Sequence, residues 1–186
     1  MGDPRQLPPL VHSRRRRKDL QLSLMERLIG QGYECDVLNI QHRSNHVIAD
    51  WSSQRFYHSK LRTAGHVASQ AVAGKTSVKD TPFTRAPMIL VNVRTGSEVS
   101  MQDGGSLFNP VEITSVVAVV NRLQAAGVQF DDIGIISPYQ AQVDLLVKRF
   151  NSANKLTIKT VDSFQGSEKD VIGWEIGFVR VLAIHL

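Results

Sequence analysis

Several things are scarce in this chain. There is one cysteine, Cys35, so no internal disulfide can form, and a reducing compartment is the natural setting. No apolar run approaches the length of a membrane span, and the N-terminus lacks an apolar signal core. The expectation is an intracellular protein of the nucleus or cytoplasm with no membrane partner. No internal repeat is visible. A complete phosphate-binding loop is missing too. Gly74-Lys75-Thr76 looks like the tail of one, but Ser69 stands where the first glycine is needed and no strand precedes it.

What remains suits one domain, or one domain and a piece of another: 186 residues, 42% hydrophobic, with a net charge of +5 and a pI of about 9.6. A basic balance leans towards an anionic partner such as nucleic acid, although many inert domains are mildly basic. The run HSRRRRK (12–18) reads as a solvated linker, with nuclear targeting or phosphate contact as the sharper alternative.

Proline and glycine in MGDPRQLPPLV (1–11) forbid helix and mark a turn. Residues 19–29 then carry Leu20, Leu24, Met25 and Leu28 at helical spacing, stopped by Gly30 and Gly32. DVLNI (36–40) reads as a strand, and 45–57 as a helix whose apolar side is Val47, Ile48, Trp51 and Phe56. Trp51, Phe56 and Tyr57 are read as core rather than as a base-stacking platform. Residues 60–85 are polar and read as a long loop with one short helix. PMILVNV (87–93) reads as a buried strand.

Asn109-Pro110-Val111-Glu112 is a strong helix start, with Ile113, Val116, Val117, Val120 and Leu123 as its buried stripe and Gly127 as its end. Asp131 and Asp132 resemble a metal pair but read better as loop residues before the strand IGIIS (133–137). A helix over 139–150 turns Val143, Leu146, Val147 and Phe150 inward, and another strand follows over 155–161. The alternation predicts a three-layer α/β domain with a parallel sheet. Arg43, the group Ser137–Tyr139–Gln142 and the stretch from Asp162 to Glu168 all fall just beyond strand ends, where open α/β sheets bind ligands. Gly166 permits a backbone to approach a phosphate or sugar closely.

Five motifs in order, GDPRQLPP, LSLMERL, QHRS followed by FYHSKL, IGIISPYQAQV and TVDSFQGSEKDVI, resemble superfamily 1B helicases of the Upf type over nearly all of the chain up to Ile172. The resemblance implies a motor of two RecA-like domains with ATP and Mg²⁺ between them and single-stranded DNA or RNA as partner. The family's first domain carries the phosphate-binding loop and an acidic magnesium box, and neither occurs in these 186 residues. Residues 1–35 then correspond to the tail of the first domain and a joining helix, 36–172 to an incomplete second RecA-like domain, and 173–186 to a divergent tail.

Gln6 matches the residue that senses the γ-phosphate, and Arg43 the arginine that reaches it across the cleft. His42 stands where a tyrosine usually packs near adenine. Gly166 and Glu168 match positions at the nucleotide, the carboxylate suited to a ribose hydroxyl. Thr160 matches a nucleic-acid backbone contact, and Ser137, Tyr139 and Gln142 resemble the motif beside the nucleic-acid track. The resemblance implies no metal ligand in this chain. Ser44, Asn45 and His46 depart from the family's Met-His-Pro, and Gly173, Glu175 and Gly177 are expected to break the strand that the family continues there. A later motif with a second catalytic arginine does not arrive before Leu186.

The expectation is a piece of a 5′-to-3′ helicase, inactive alone and dependent on the missing first RecA-like domain. The alternative is a non-enzymatic module that binds nucleic acid or protein.

Overall fold

The computed structural model describes residues 2–6, 11, 21–75, 77–101, 105–150, 155–175 and 181–185. Its centre is the strand β6 (Ile133–Ser137), in which every residue is buried. Five consecutive residues without a charge can only be satisfied with neighbours on both sides and cover on both faces. The parallel strands β7 (Thr157–Thr160) and β8 (Val171–Glu175) flank it. Beyond β8 come β9 (Val181–His185) and then β3 (Met88–Asn92), giving the order β3-β9-β8-β6-β7, while β4 (Val99–Ser100) and β5 (Leu107–Phe108) pair apart from it.

Two helices cover one face. The helix Pro110–Ala125 starts as its sequence predicts: Asn109 Oδ1 accepts from the Val111 and Glu112 N–H groups at 3.0 and 3.4 Å, Pro110 opens the first turn, and Gly127 at φ +98° follows the end. Its Val116, Val120 and Leu123 pack with Ile133, Ile135 and Val171 of the sheet and with Leu146 of the helix Gln140–Phe150. On the other face the four-residue helix Val161–Phe164 lays Phe164 against Gly134, where a Cβ would stand 2.8 Å from the ring. The chain is therefore a layered α/β domain with a parallel centre, the RecA-like architecture.

Several expectations are corrected. The sheet is not wholly parallel: β9 runs antiparallel to both neighbours, because the connection over 176–180 is too short for a crossover and can only join antiparallel strands. Gly173 and Glu175 do not break β8, which passes through both; a Cβ at Gly173 would meet nothing closer than 3.9 Å. Gly177 lies outside the described residues. Of DVLNI, only Ile40 is strand; with Gln41 it forms β1 (Ile40–Gln41), which pairs in parallel with Arg62–Thr63 (β2) apart from the main sheet. Val37 and Leu38, 67% and 81% exposed, bury nothing that would hold the segment in the sheet.

β3 is an edge strand. Ile89 and Val91 face the core while Met88 and Leu90 face solvent, so the unbroken apolar run did not mean burial on both faces. Helix α1 (Leu24–Gly30) begins at a capping box, with Ser23 accepting from Glu26 N–H and the Glu26 carboxylate from Ser23 N–H. Its Leu24 and Leu28 are exposed, and Leu20 lies outside the described residues. Helix α2 (His46–Phe56) also keeps its apolar side out: Trp51 is 65% exposed and meets Phe56 edge-on at 5.5 Å. α2 packs on β2 rather than on the main sheet, so those rings have no core to enter. Val147 is likewise exposed.

Residues 60–85 hold more structure than a loop. After β2 come a helical turn at Gly65–Ala68, a 3₁₀ turn at Val72–Gly74 and a capped turn at Pro82–Arg85. Val78 enters the main core. Lys75 reaches Asp170 and Asp132, which precede β8 and β6. That is the N-terminal edge of the parallel strands, opposite the edge where open α/β sheets take phosphate. Asp131 sits in the 3₁₀ turn Phe130–Asp132 and pairs with Lys169 at 3.1 Å. Among the described residues no helix is long and apolar enough to cross a membrane.

Candidate nucleotide and nucleic-acid site

Arg43 stands in a four-residue bend between β1 and α2, and one side chain builds that bend. Gln41 Oε1 accepts from the Arg43 and Ser44 N–H groups at 2.9 and 3.0 Å. Gln41 Nε2 donates to the Ser44 carbonyl at 2.6 Å and to Thr63 Oγ1 at 2.7 Å. The buried Asn45 then caps α2 through Val47 N–H and donates to the Gln70 carbonyl at 3.0 Å. His42 meets His66 with ring centroids 5.2 Å apart.

The second contributor is the stretch after β7. Thr160 caps the short helix 161–164: its Oγ1 accepts from Ser163 N–H at 3.4 Å and shares a hydrogen bond with Ser163 Oγ at 2.8 Å. Phe164 anchors that helix on the sheet. The chain then turns at Gly166, whose φ of +80° favours glycine and whose missing Cβ faces open space. This turn delivers Glu168 to Arg43, with Oε2 and Nε 3.6 Å apart and the side chains 77% and 74% exposed. Residues 125 positions apart, from separate motifs, thus meet, with His42 and Gly166 close to them along the chain.

A second cluster lies at the C-terminal ends of β6 and β7, where Ser137 and Thr160 are register partners. Ser137 and Gln142 are only 1% and 2% exposed. Gln142 Oε1 accepts from the Asn109 N–H at 2.9 Å, so this side chain ties the two covering helices together. Tyr139 N–H donates to Ser137 Oγ at 3.4 Å. Glu98, Phe108, Glu112, Ser137, Tyr139 and Gln142 line a shallow pocket here. Burial, and then the charges of Glu98 and Glu112, push the Tyr139 phenol above its ordinary pKa and keep it a donor.

Gln6 joins neither cluster. Its Nε2 donates to Asp3 Oδ2 at 3.0 Å, and Asp3 also receives the Tyr57 hydroxyl at 2.6 Å. Burial would raise the Asp3 pKa, but the hydrogen bonds from Tyr57, Arg5 N–H and Gln6 outweigh it and hold the carboxyl below its ordinary value. Tyr57 caps the C-terminus of α2, an eleven-residue helix, roughly 16 Å along its axis from the Arg43 bend.

Sequence reasoning missed Gln41, Thr63, His66, Glu98 and Glu112. Among the described residues no group of three or more His, Cys, Asp or Glu side chains is arranged to hold a metal.

Comparison with known proteins identifies the family. A family profile described as an AAA domain matches residues 20–180. The chain is 38% identical over 178 residues to the mouse DNA-binding protein SMUBP-2, covering 92% of this chain and 18% of that protein. It is 33% identical over 208 residues to the DNA polymerase alpha-associated DNA helicase A of Saccharomyces cerevisiae, covering 96% of this chain and 30% of that protein. It is 31% identical over 184 residues to a regulator of nonsense transcripts 1 homolog of Neurospora crassa, covering 92% of this chain and 16% of that protein. The chain spans less than a third of each of these relatives. With its ordered motifs and RecA-like sheet, it belongs to the AAA-domain family, as a helicase domain of the superfamily 1B, Upf type.

Proposed function

We propose that this chain is the second half of an ATP-dependent motor that moves 5′ to 3′ along single-stranded DNA or RNA in the nucleus or cytoplasm. Residues 1–35 serve as the tail of a first RecA-like domain and the joining helix, and the second RecA-like domain runs from 36 through β9, which completes its sheet beyond 172. The observation that carries the reading is the meeting of Arg43 and Glu168 at 3.6 Å beside Gly166. An exposed ion pair of this kind contributes only about 0–1 kcal/mol, so a bound nucleotide can take both members. Arg43 then turns to the γ-phosphate, where a fixed guanidinium stabilises developing charge. Glu168 accepts from a ribose hydroxyl, Gly166 lets the backbone approach, and His42 lies against the base.

At the second cluster, Thr160 and Tyr139 face the phosphate–sugar track, while the buried Ser137 supports Tyr139 through its N–H and Gln142 holds Asn109 and the helix behind it. Contacts of this type read backbone rather than sequence. The relatives' names mention both DNA and transcripts, and so fit either polymer.

Mg²⁺ would enter with the nucleotide and be held by the first domain; among the described residues no three His, Cys, Asp or Glu side chains are grouped to hold it. Phosphoryl transfer also needs a phosphate cradle and an oriented water. Arg43 and Gln6 assist but do not start the reaction; Gln6 reaches the γ-phosphate only once a first domain redirects its turn away from Tyr57.

A paired assay tests this. The purified chain is expected to hydrolyse no ATP, with or without single-stranded DNA or RNA. Joined to a first RecA-like domain that carries a phosphate-binding loop, it is expected to show nucleic-acid-stimulated turnover. Hydrolysis by the chain alone, or none by the joined protein, would sink the proposal.

A further inference from the structure

We infer that Gln41 is a positioning residue for Arg43, and that residues 62–70 form a bracket that fixes the arginine bend before nucleotide arrives. The inference rests on the reading of Arg43 as the arginine that meets the γ-phosphate.

A bend of four residues does not hold an arginine in place by itself. Its backbone N–H groups at 43 and 44 and its carbonyl at 44 would otherwise turn to water in many arrangements. Here a single carboxamide engages all three, using its oxygen twice and its nitrogen once. The second N–H of that nitrogen is spent on Thr63 Oγ1, so the carboxamide is itself held from outside the bend.

The tie to Thr63 is one of several between the two segments. Arg62 N–H donates to the Asn39 carbonyl at 2.7 Å and Ala64 N–H to the Gln41 carbonyl at 2.9 Å. His46 Nδ1 meets the Ala68 carbonyl at 2.8 Å, Asn45 Nδ2 the Gln70 carbonyl, and the His42 ring the His66 ring. The bend from 41 to 46 is thus cross-linked at both ends to 62–70, while its Arg43 side chain stays three-quarters exposed. A rigid backbone under an exposed guanidinium is the arrangement that presents a cation in one place at little ordering cost. Misplacement of a reacting group by about 1 Å can cost roughly 100-fold in rate, so the bracket has a direct bearing on turnover.

Neither leucine nor glutamate reproduces the carboxamide. Leucine removes all four hydrogen bonds at similar volume. Glutamate keeps the acceptor for Arg43 and Ser44 N–H but sets a second oxygen against the Ser44 carbonyl. Thr63→Val removes only the outer tie, whereas Thr63→Ser keeps it.

The test uses the full chain joined to a first RecA-like domain that carries a phosphate-binding loop. Gln41→Leu is expected to lower kcat about 10- to 100-fold with little change in KM, because the contact matures in the transition state. Thr63→Val is expected to give a smaller loss that Thr63→Ser does not show. The double variant Gln41→Leu, Arg43→Ala is expected to be no slower than Arg43→Ala alone, since Gln41 acts through Arg43; a merely structural role would give added losses. Backbone amide exchange on the 186-residue chain supplies a readout apart from activity: Arg43 and Ser44 are expected to lose protection in Gln41→Leu.

Full activity of Gln41→Leu beside an inactive Arg43→Ala would overturn the inference and leave the proposed function standing. Full activity of Arg43→Ala would overturn both. Should Gln41→Leu fail to fold, Thr63→Val against Thr63→Ser decides, with equal rates counting against the bracket.

Discussion

Replacing Arg43 by alanine is expected to lower nucleic-acid-stimulated ATP turnover by about 10³-fold or more in the joined protein. An arginine supplied across a nucleotide cleft acts where charge gathers on the transferred phosphoryl group, and little else in this domain can substitute for it. The group the structure sets against it is a carboxylate, Glu168. Arg43→Lys is expected to restore little, because an ammonium lacks the planar fork that engages two phosphate oxygens. The fold should not notice either change: Arg43 and its partner Glu168 are both largely exposed, and the bend is held through backbone groups at 43 and 44 rather than through the guanidinium. Steady-state kcat read beside the urea midpoint separates the two effects, with an unmoved midpoint expected.

The second large effect is on stability. Gly127→Ala is expected to cost about 2–4 kcal/mol. The residue lies at φ +98°, a conformation that an L side chain adopts only under strain. A Cβ there would also fall inside the van der Waals shell of the Ser77 carbonyl oxygen. The neighbouring segment cannot retreat freely, since Lys79 N–H donates to the Ala126 carbonyl at 2.7 Å and Val78 is part of the core. Relief of the collision therefore loosens a hydrogen bond and a buried valine together. A urea midpoint shifted down at constant slope is the expected result, and an unchanged midpoint would show that residues 77–79 do not pack on the end of the long helix.

These two residues also show what could be read from the chain. Gly127 was legible because a helix with a strong Asn-Pro start and a regular apolar stripe must end somewhere, and the glycine stood at the right distance. β6 was legible for a similar reason, since Ile133–Ser137 holds no charge and is bounded by Asp132 and Pro138. Patterns of this kind are local. Where burial depends on what lies opposite, they failed. Leu90 and Trp51 carry the same apolar signal as core residues, yet one sits on an uncovered sheet face and the other on a helix that packs away from the sheet. Val37 and Leu38 mimic a strand without a partner to pair with.

The candidate site was legible in outline through the ordered motifs, which led to both Arg43 and Glu168, although the strand read ahead of Arg43 lies outside the main sheet. Their support was not. Gln41 binds backbone groups of its own bend and a threonine 22 positions away, and such contacts leave no periodicity. β9 was hidden for another reason. Glycines in GWEIGFVR suggested a broken strand, whereas the chain keeps its strand through Gly173 and returns after a short connection to pair with itself.

The central claim is that Arg43 and Glu168 are partners in the free domain and separate on nucleotide. A crystal structure of the joined protein with an ATP transition-state analogue measures this directly. The account predicts the Arg43 guanidinium within about 3 Å of the γ-phosphate mimic, with Glu168 turned to the ribose hydroxyl. An analogue bound elsewhere, with Arg43 still on Glu168, would contradict it.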